Sequence, residues 1–147
     1  MSAPGFPTVH IAGDITKKPG TGLGPRTIDD YELLYFTTGT KGVYVMEGET
    51  VPLDVPCFIV CRPGERHEYI YDRDEESRHL FLHFGFERMP EGKPDLPFLN
   101  AGGVCRIPSE NELLIGMMKQ VIYLSYAMPE RMSERAGALL LSLLLEL

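Results

Sequence analysis

From Tyr31 to about Phe86, short β-rich runs alternate with turn residues at roughly ten residues per strand, the punctuation of a sandwich or barrel. The runs are Tyr31–Thr37, Gly42–Met46, Thr50–Val55, Phe58–Cys61, His67–Tyr71 and His79–Phe86. They are separated by Gly39, Glu47-Gly48, Pro56, Pro63-Gly64 and the charged loop Asp72–Ser77. None is as long as the roughly ten to twelve residues of an amphipathic helix, which argues against alternating strands and helices. Twelve prolines and fifteen glycines supply the turns, and with 44% hydrophobic residues the chain has the material for a core. At 147 residues it is long enough for one core and too short for two ordinary domains. A single domain is expected, and no internal repeat is evident.

The pattern changes after Pro108. Ser109-Glu110-Asn111-Glu112 reads as a capping box that starts a helix. Behind it Leu113, Met117 and Val121, and Leu114, Met118 and Ile122, recur at spacings of four, which predicts one broad apolar stripe laid on the barrel. Pro129 breaks the pattern, and Met132–Leu147 forms a second helix with leucines on nearly every side. A helix apolar all round needs two partners. One is the preceding helix, and the other is expected to be the same helix of a second copy, through Leu140, Leu143, Leu144 and Leu147. The alternative is burial within one subunit.

A net charge of -7 repels phosphate backbones, so this segment by itself is not expected to bind nucleic acid. The first twenty residues contain no continuous apolar segment, and the apolar tail Leu139–Leu147 is about half the roughly 20 residues of a membrane span. Cys57, Cys61 and Cys105 are few and odd in number. Cys57 and Cys61 are expected as buried thiols in one strand, roughly 13 Å apart and beyond disulfide reach. These features fit a cytoplasmic protein with no membrane contact. Gly20–Gly24 lacks the flanking strand and helix of a nucleotide fingerprint and reads as a flexible loop, and Asp72–Glu76 reads as a solvated hairpin tip.

The strand Tyr31-Glu32-Leu33-Leu34-Tyr35-Phe36, then Arg62-Pro63-Gly64-Glu65-Arg66-His67-Glu68-Tyr69 and Leu82-His83-Phe84, resembles the sensor domain of AraC-type transcriptional regulators. His10-Ile11-Ala12-Gly13, Arg26 and the Leu-rich final helix extend the resemblance over nearly the whole chain. It implies a mainly β fold, a cupin-like (double-stranded β-helix or jelly-roll) barrel followed by two C-terminal α-helices. Residues 1–30 would be an N-terminal arm, 31–100 the barrel and 109–147 the helical dimerisation region. Residues 8–16 resemble the segment that closes over bound ligand in the family. The helix-turn-helix DNA-binding domain that follows in the family is expected to be absent from this chain, so any DNA contact would come through it.

The metal-binding cupin pattern places two histidines six and four residues before a glutamate. Counted back from Glu32, those positions hold Arg26 and Ile28, neither an ordinary metal ligand. This favours a non-enzymatic sensor with no cofactor and no metal. By period two, His67, Tyr69 and Tyr71 share one strand face, and His79, Phe81 and His83 another. The resemblance implies a small polar effector, such as a sugar, held by Arg26, His67, Tyr69, Phe81 and His83, an aromatic wall with a few directed donors. Simpler roles compete: Phe81 as core filler, His67 bonded to its own turn, Arg26 paired with Asp29 or Asp30. The main alternative is a small cupin metalloenzyme, an isomerase or dioxygenase, with His67, His83 and Glu32 as ligands. A third reading is a packed barrel that serves only to dimerise.

Overall fold

A computed structural model describes residues 5–100, 102–127 and 132–147. Among these described residues, nine strands form two antiparallel sheets. The larger, in spatial order β1 (Thr8–Lys17), β8 (Ser77–Gly85), β3 (Tyr31–Phe36), β6 (Cys57–Cys61) and β9 (Cys105–Pro108), faces the smaller, β2 (Gly22–Arg26), β7 (His67–Ile70), β4 (Val43–Met46) and β5 (Glu49–Pro52). Helices α1 (Glu112–Ala127) and α2 (Met132–Glu146) pack on each other and on β1. The six strands expected between Tyr31 and Phe86 all form, with ends shifted by one to three residues. No helix among the described residues is long and apolar enough to cross a membrane.

The larger sheet is covered on both faces, which is why Leu33-Leu34-Tyr35-Phe36 and Cys57–Cys61 are apolar without alternation. Strand parity divides them. Leu33, Tyr35, Phe58, Val60, Leu80, Leu82 and Phe84 face the helices and join Leu114, Met118, Val121 and Leu140 in one core. Leu34, Phe36, Cys57, Ile59 and Cys61 face the smaller sheet and meet Tyr44, Met46 and Tyr69 in a second. Buried Arg62, just after β6, donates to Glu65 and to the carbonyls of Phe98, Asn100 and Gly103, tying the loop that precedes β9 to the barrel.

Several expectations need correction. Residues 8–26 do not stand apart from the barrel as an arm: β1 pairs along β8 from Thr8 to Lys17, and the Gly20–Gly24 loop runs into β2. A short strand, β9, lies beyond the expected barrel limit at residue 100. Asn111, not Ser109, caps α1, its Oδ1 accepting the Leu113 N–H. Ser109 is still tied to the barrel, its N–H on Pro56 O and its carbonyl accepting the Tyr35 hydroxyl, so the helix starts later. Leu113 consequently points outward. Leu140, Leu143 and Leu144, expected at a subunit interface, are wholly buried within the single chain, and Leu147 packs against the same core. The second partner of α2 is β1 with the residues before it. Pro129 lies outside the described residues.

That contact is close at Gly137, where an added Cβ would lie 2.3 Å from the carbonyl oxygen of Pro7 and 2.9 Å from Phe6 Cβ. Helix propensity favours alanine over glycine by about 1 kcal/mol, whereas forcing a methyl into this packing costs typically 1–3 kcal/mol. Gly137→Ala is expected to lower stability in chemical denaturation despite its better propensity. A stabilised variant would show that α2 does not sit this tightly on residues 6 and 7.

Candidate functional site

The inward parity of three neighbouring strands assembles the site. Glu32 of β3 is paired with Cys61 of β6 on one side and His83 of β8 on the other, and Leu34 and Phe36 are paired with Phe81 and His79. Across the barrel, Arg26 of β2 is paired with His67 of β7. Glu32 is buried, and its carboxylate is held on both oxygens. Arg26 Nη2 donates to Oε1 at 2.9 Å, and His83 Nε2 lies 2.9 Å from Oε2.

Proton positions follow from this network. Arg26 Nε also donates to His67 Nε2 at 3.2 Å, so that nitrogen accepts and the Nδ1–H donates to Glu65 O at 3.1 Å. His67 is therefore neutral. Burial first, and the field of Arg26 as well, lower its pKa against the hydrogen bond to Glu65. His83 is the opposite case, with Nδ1 on Asp30 at 3.0 Å and Nε2 on Glu32. Carboxylates only accept, so both ring nitrogens carry protons. Burial opposes that charge, but the bonds and fields of Glu32 and then Asp30 outweigh it and raise the pKa.

The network reaches the surface through a β-bulge between Val9 and Ile11. The bulge leaves His10 exposed, with Nδ1 on Asp30 at 2.8 Å and Nε2 on Glu87 at 2.6 Å. A continuous series thus runs Glu87, His10, Asp30, His83, Glu32, Arg26, His67.

Beside it lies an open cavity of about 160 Å³. Strand β8 contributes His79, Phe81 and His83, β3 contributes Glu32, β2 contributes Leu23 and Arg26, and β1 contributes Ile15 and Lys17. Phe81 leans over Gly13, where an added Cβ would be 2.6 Å from its ring. His79 is buried and stacks on Tyr71, with ring centroids 5.9 Å apart, and packs tilted against Phe36 at 5.2 Å. Burial pushes its pKa down to about 4, so it is neutral at pH 7. A larger hollow of about 290 Å³ beside Asp54 and Asp74 is a poorer candidate. The one buried carboxylate there, Asp72, is spent on the backbone N–H groups of Lys41, Asp74 and Glu75.

Of the expected ligand residues, Arg26, Phe81 and His83 line the cavity. Tyr69 does not. It is wholly buried between Tyr44 and Tyr71, with its hydroxyl 3.0 Å from Cys61 Sγ, because the smaller sheet turns β7 toward the barrel centre. His67 is likewise buried and committed to Arg26 and its own turn. Arg26 pairs with Glu32 rather than with Asp29 or Asp30. Ile15, Lys17 and Leu23 were missed because the segments carrying them read as arm and loop. The alternation of Ile11, Gly13, Ile15 and Lys17 was the available signal.

Among the described residues one group, Glu32, Cys61 and His67, places three possible metal-ligand atoms within 4.8 Å of one another. The trio does not fit a divalent ion. The Arg26 guanidinium already bridges Glu32 and His67, so a cation occupies two of the three donors.

Among curated proteins none matches the chain at the level of sequence. Several solved structures resemble it, among them the following three. A predicted oxalate decarboxylase from Thermotoga maritima is 17% identical over 52% of this chain and 66% of its own, with a TM-score of 0.46. YhaK from Escherichia coli is 14% identical over 72% of this chain and 44% of its own, with a TM-score of 0.52. A cupin protein from Bacteroides fragilis is 14% identical over 63% and 75%, with a TM-score of 0.44. The chain thus spans less than half of YhaK and just under two thirds of the Thermotoga protein. Of these three the YhaK likeness is close enough to bear on the fold, and at that identity it bears on the fold alone. The family pattern described as AraC-like ligand binding domain matches residues 9–121, most of both sheets together with the first part of α1, and the chain belongs to that family.

Proposed function

We propose that this domain senses a monosaccharide-sized polar ligand in the cavity between β1, β2, β3 and β8, and that it does so without chemistry. The observation that carries the reading is the combination of the flat Phe81 face with the Arg26 fork and the Glu32 carboxylate around one opening. An apolar plate with a few fixed donors and acceptors is the general recipe for a small-molecule site, and hydroxyl-rich rings suit it. At about 160 Å³ the space is below the roughly 300–1,000 Å³ of drug-sized pockets, which favours a small occupant. Family membership makes this a ligand-sensing regulatory domain.

The output in this reading is control of DNA binding by helix-turn-helix units, because a domain with a net charge of -7 repels phosphate backbones. Ligand contacts on β1 provide a route outward, because β1 touches both the cavity and the two helices. We assign the expected twofold contact to the outer side of the helical layer, where Leu113, Tyr123, Tyr126 and Leu145 are exposed, since Leu140, Leu143 and Leu144 are spent inside. The metalloenzyme reading through Glu32, His67 and His83 is weaker, because each of these side chains already has partners.

Thermal-shift titration with neutral and acidic monosaccharides tests the site. A ligand at 100 times its Kd stabilises the native state by about 2.7 kcal/mol. The rise in Tm is expected for wild type and is expected to vanish in Phe81→Ala and to shrink sharply in Arg26→Gln. No rise with any of these sugars, or an equal rise in both variants, would rule the reading out.

The charge state of the cavity gives a pH signature. The folded pKa of His79, about 4, lies below the ordinary value of 6.5. As pH falls from 6.5 to 4, the unfolded chain takes up a proton that the folded chain refuses, and stability drops by on the order of 3 kcal/mol from this group. His83, whose folded pKa is raised, acts in the opposite sense, adding stability below the ordinary histidine value that is lost as pH rises through its own. His79→Phe keeps the aromatic stack and removes only the first effect. Urea denaturation at pH 7 and pH 4.5 is expected to show a smaller acid loss in the variant, and equal losses would contradict the buried neutral imidazole.

A further inference from the structure

We propose that the ligand of this cavity is anionic as well as hydroxylated, a sugar acid whose carboxylate is taken by Lys17 with Arg26 beside it. The inference rests on the monosaccharide reading and adds a charge to it.

The argument begins with charge balance around the cavity. Arg26 is paired with Glu32, and His83 lies between Glu32 and Asp30, so two cations face two carboxylates. Lys17 lines the same cavity and forms no ion pair among the described residues. It is the uncompensated cation of the site. A half-buried ammonium gains little from a neutral ligand, whereas a charge-assisted hydrogen bond to a carboxylate is roughly twice as strong as a neutral one.

Lys17 is also held toward the opening. Its Nζ lies 5.9 Å from the centroid of the Tyr71 ring, and Tyr71 stacks on His79 in the cavity wall. The guanidinium of Arg26 uses Nε on His67 and Nη2 on Glu32, which leaves Nη1 for a ligand oxygen.

The remaining wall asks for polar groups. Nδ1 of His79, a residue that lines the cavity, is buried without a hydrogen-bond partner. An apolar acid would leave it as it is, at a cost that buried polar groups usually avoid. Hydroxyls beside the carboxylate supply donors and acceptors to this wall and to Glu32.

The test is calorimetric and thermal-shift titration of the full chain with D-glucuronate and D-galacturonate against D-glucose and D-galactose. Wild type, Lys17→Met and Lys17→Arg are compared. The expected result is at least tenfold tighter binding of a uronate than of its neutral counterpart in wild type. That ratio should collapse toward one in Lys17→Met and recover in Lys17→Arg. Neutral sugars binding as tightly as uronates in wild type would overturn the charge requirement and leave the sugar site standing. A ratio that survives in Lys17→Met would overturn the role of Lys17. Binding of none of the four would overturn the sugar reading and this inference with it. If Lys17→Met fails to fold, the uronate preference in wild type and in Lys17→Arg still decides the charge requirement, and Lys17→Gln replaces it in deciding the role of Lys17.

Discussion

Glu32 lies buried on the middle strand of the five-stranded sheet, and an ionised carboxylate there is tolerable only with partners on both oxygens. Arg26 and His83 supply them from different sheets. The pairing fixes more than two contacts. Arg26 reaches Glu32 only if β2 lies along β7, and His83 reaches it only in the observed β3–β8 register, since a slip of one residue would turn β8's histidines toward the helices. Asp30 and His10 extend the same demand to the loop before β3 and to the bulge in β1. The arrangement of four strands around the cavity depends on satisfying one buried acid.

The same cluster sets the chemistry available at this site. A guanidinium occupies the centre of the donor set, with one arm on a carboxylate and one on an imidazole. It supplies positive charge without an open coordination position. What remains open is the side of the cluster facing β1, where Phe81, Lys17 and Ile15 add an aromatic plate, a cation and an aliphatic edge. On the function proposed above, this site recognises and orients a ligand. Because β1 lies between that ligand and both helices, occupancy has a direct mechanical neighbour in the helical layer.

Burial on both faces of the larger sheet separates the two tasks of the chain by parity. Residues on one face make a greasy seat for α1 and α2, and residues on the other face make either the barrel core or the charged cluster. The helices therefore stabilise the sheet that carries the site without entering it. The leucines of α2 are consumed in that seat and by the approach of residues 6 and 7 at Gly137. Most of the leucines of α2 are accounted for within one chain; among the described residues Leu145, with Leu113, Tyr123 and Tyr126 of α1, is left exposed.

Sequence alone determined the β class, the six central strands and the change to helices after Pro108, because turn punctuation and strand alternation are local properties of the chain. Arg26, Phe81 and His83, which line the cavity, were pointed to by the family resemblance and not by parity. It left β1, β2 and β9 unread: a bulge and a glycine disrupt the alternation in β1, Gly22-Leu23-Gly24-Pro25 resembles a loop, and β9 is four residues ending in proline. Tertiary structure decided the rest. Parity gives the face on which a side chain lies but not its depth, so Tyr69 and His67 fell into the barrel core while Lys17, from a segment that looked like an arm, came to the cavity wall. The pairing of Arg26 with Glu32 rather than with a nearer aspartate, and the covering of α2 by its own chain rather than a second copy, both depend on which distant strand arrives alongside. That is set by the packing of the two sheets and the helices, and no local pattern encodes it.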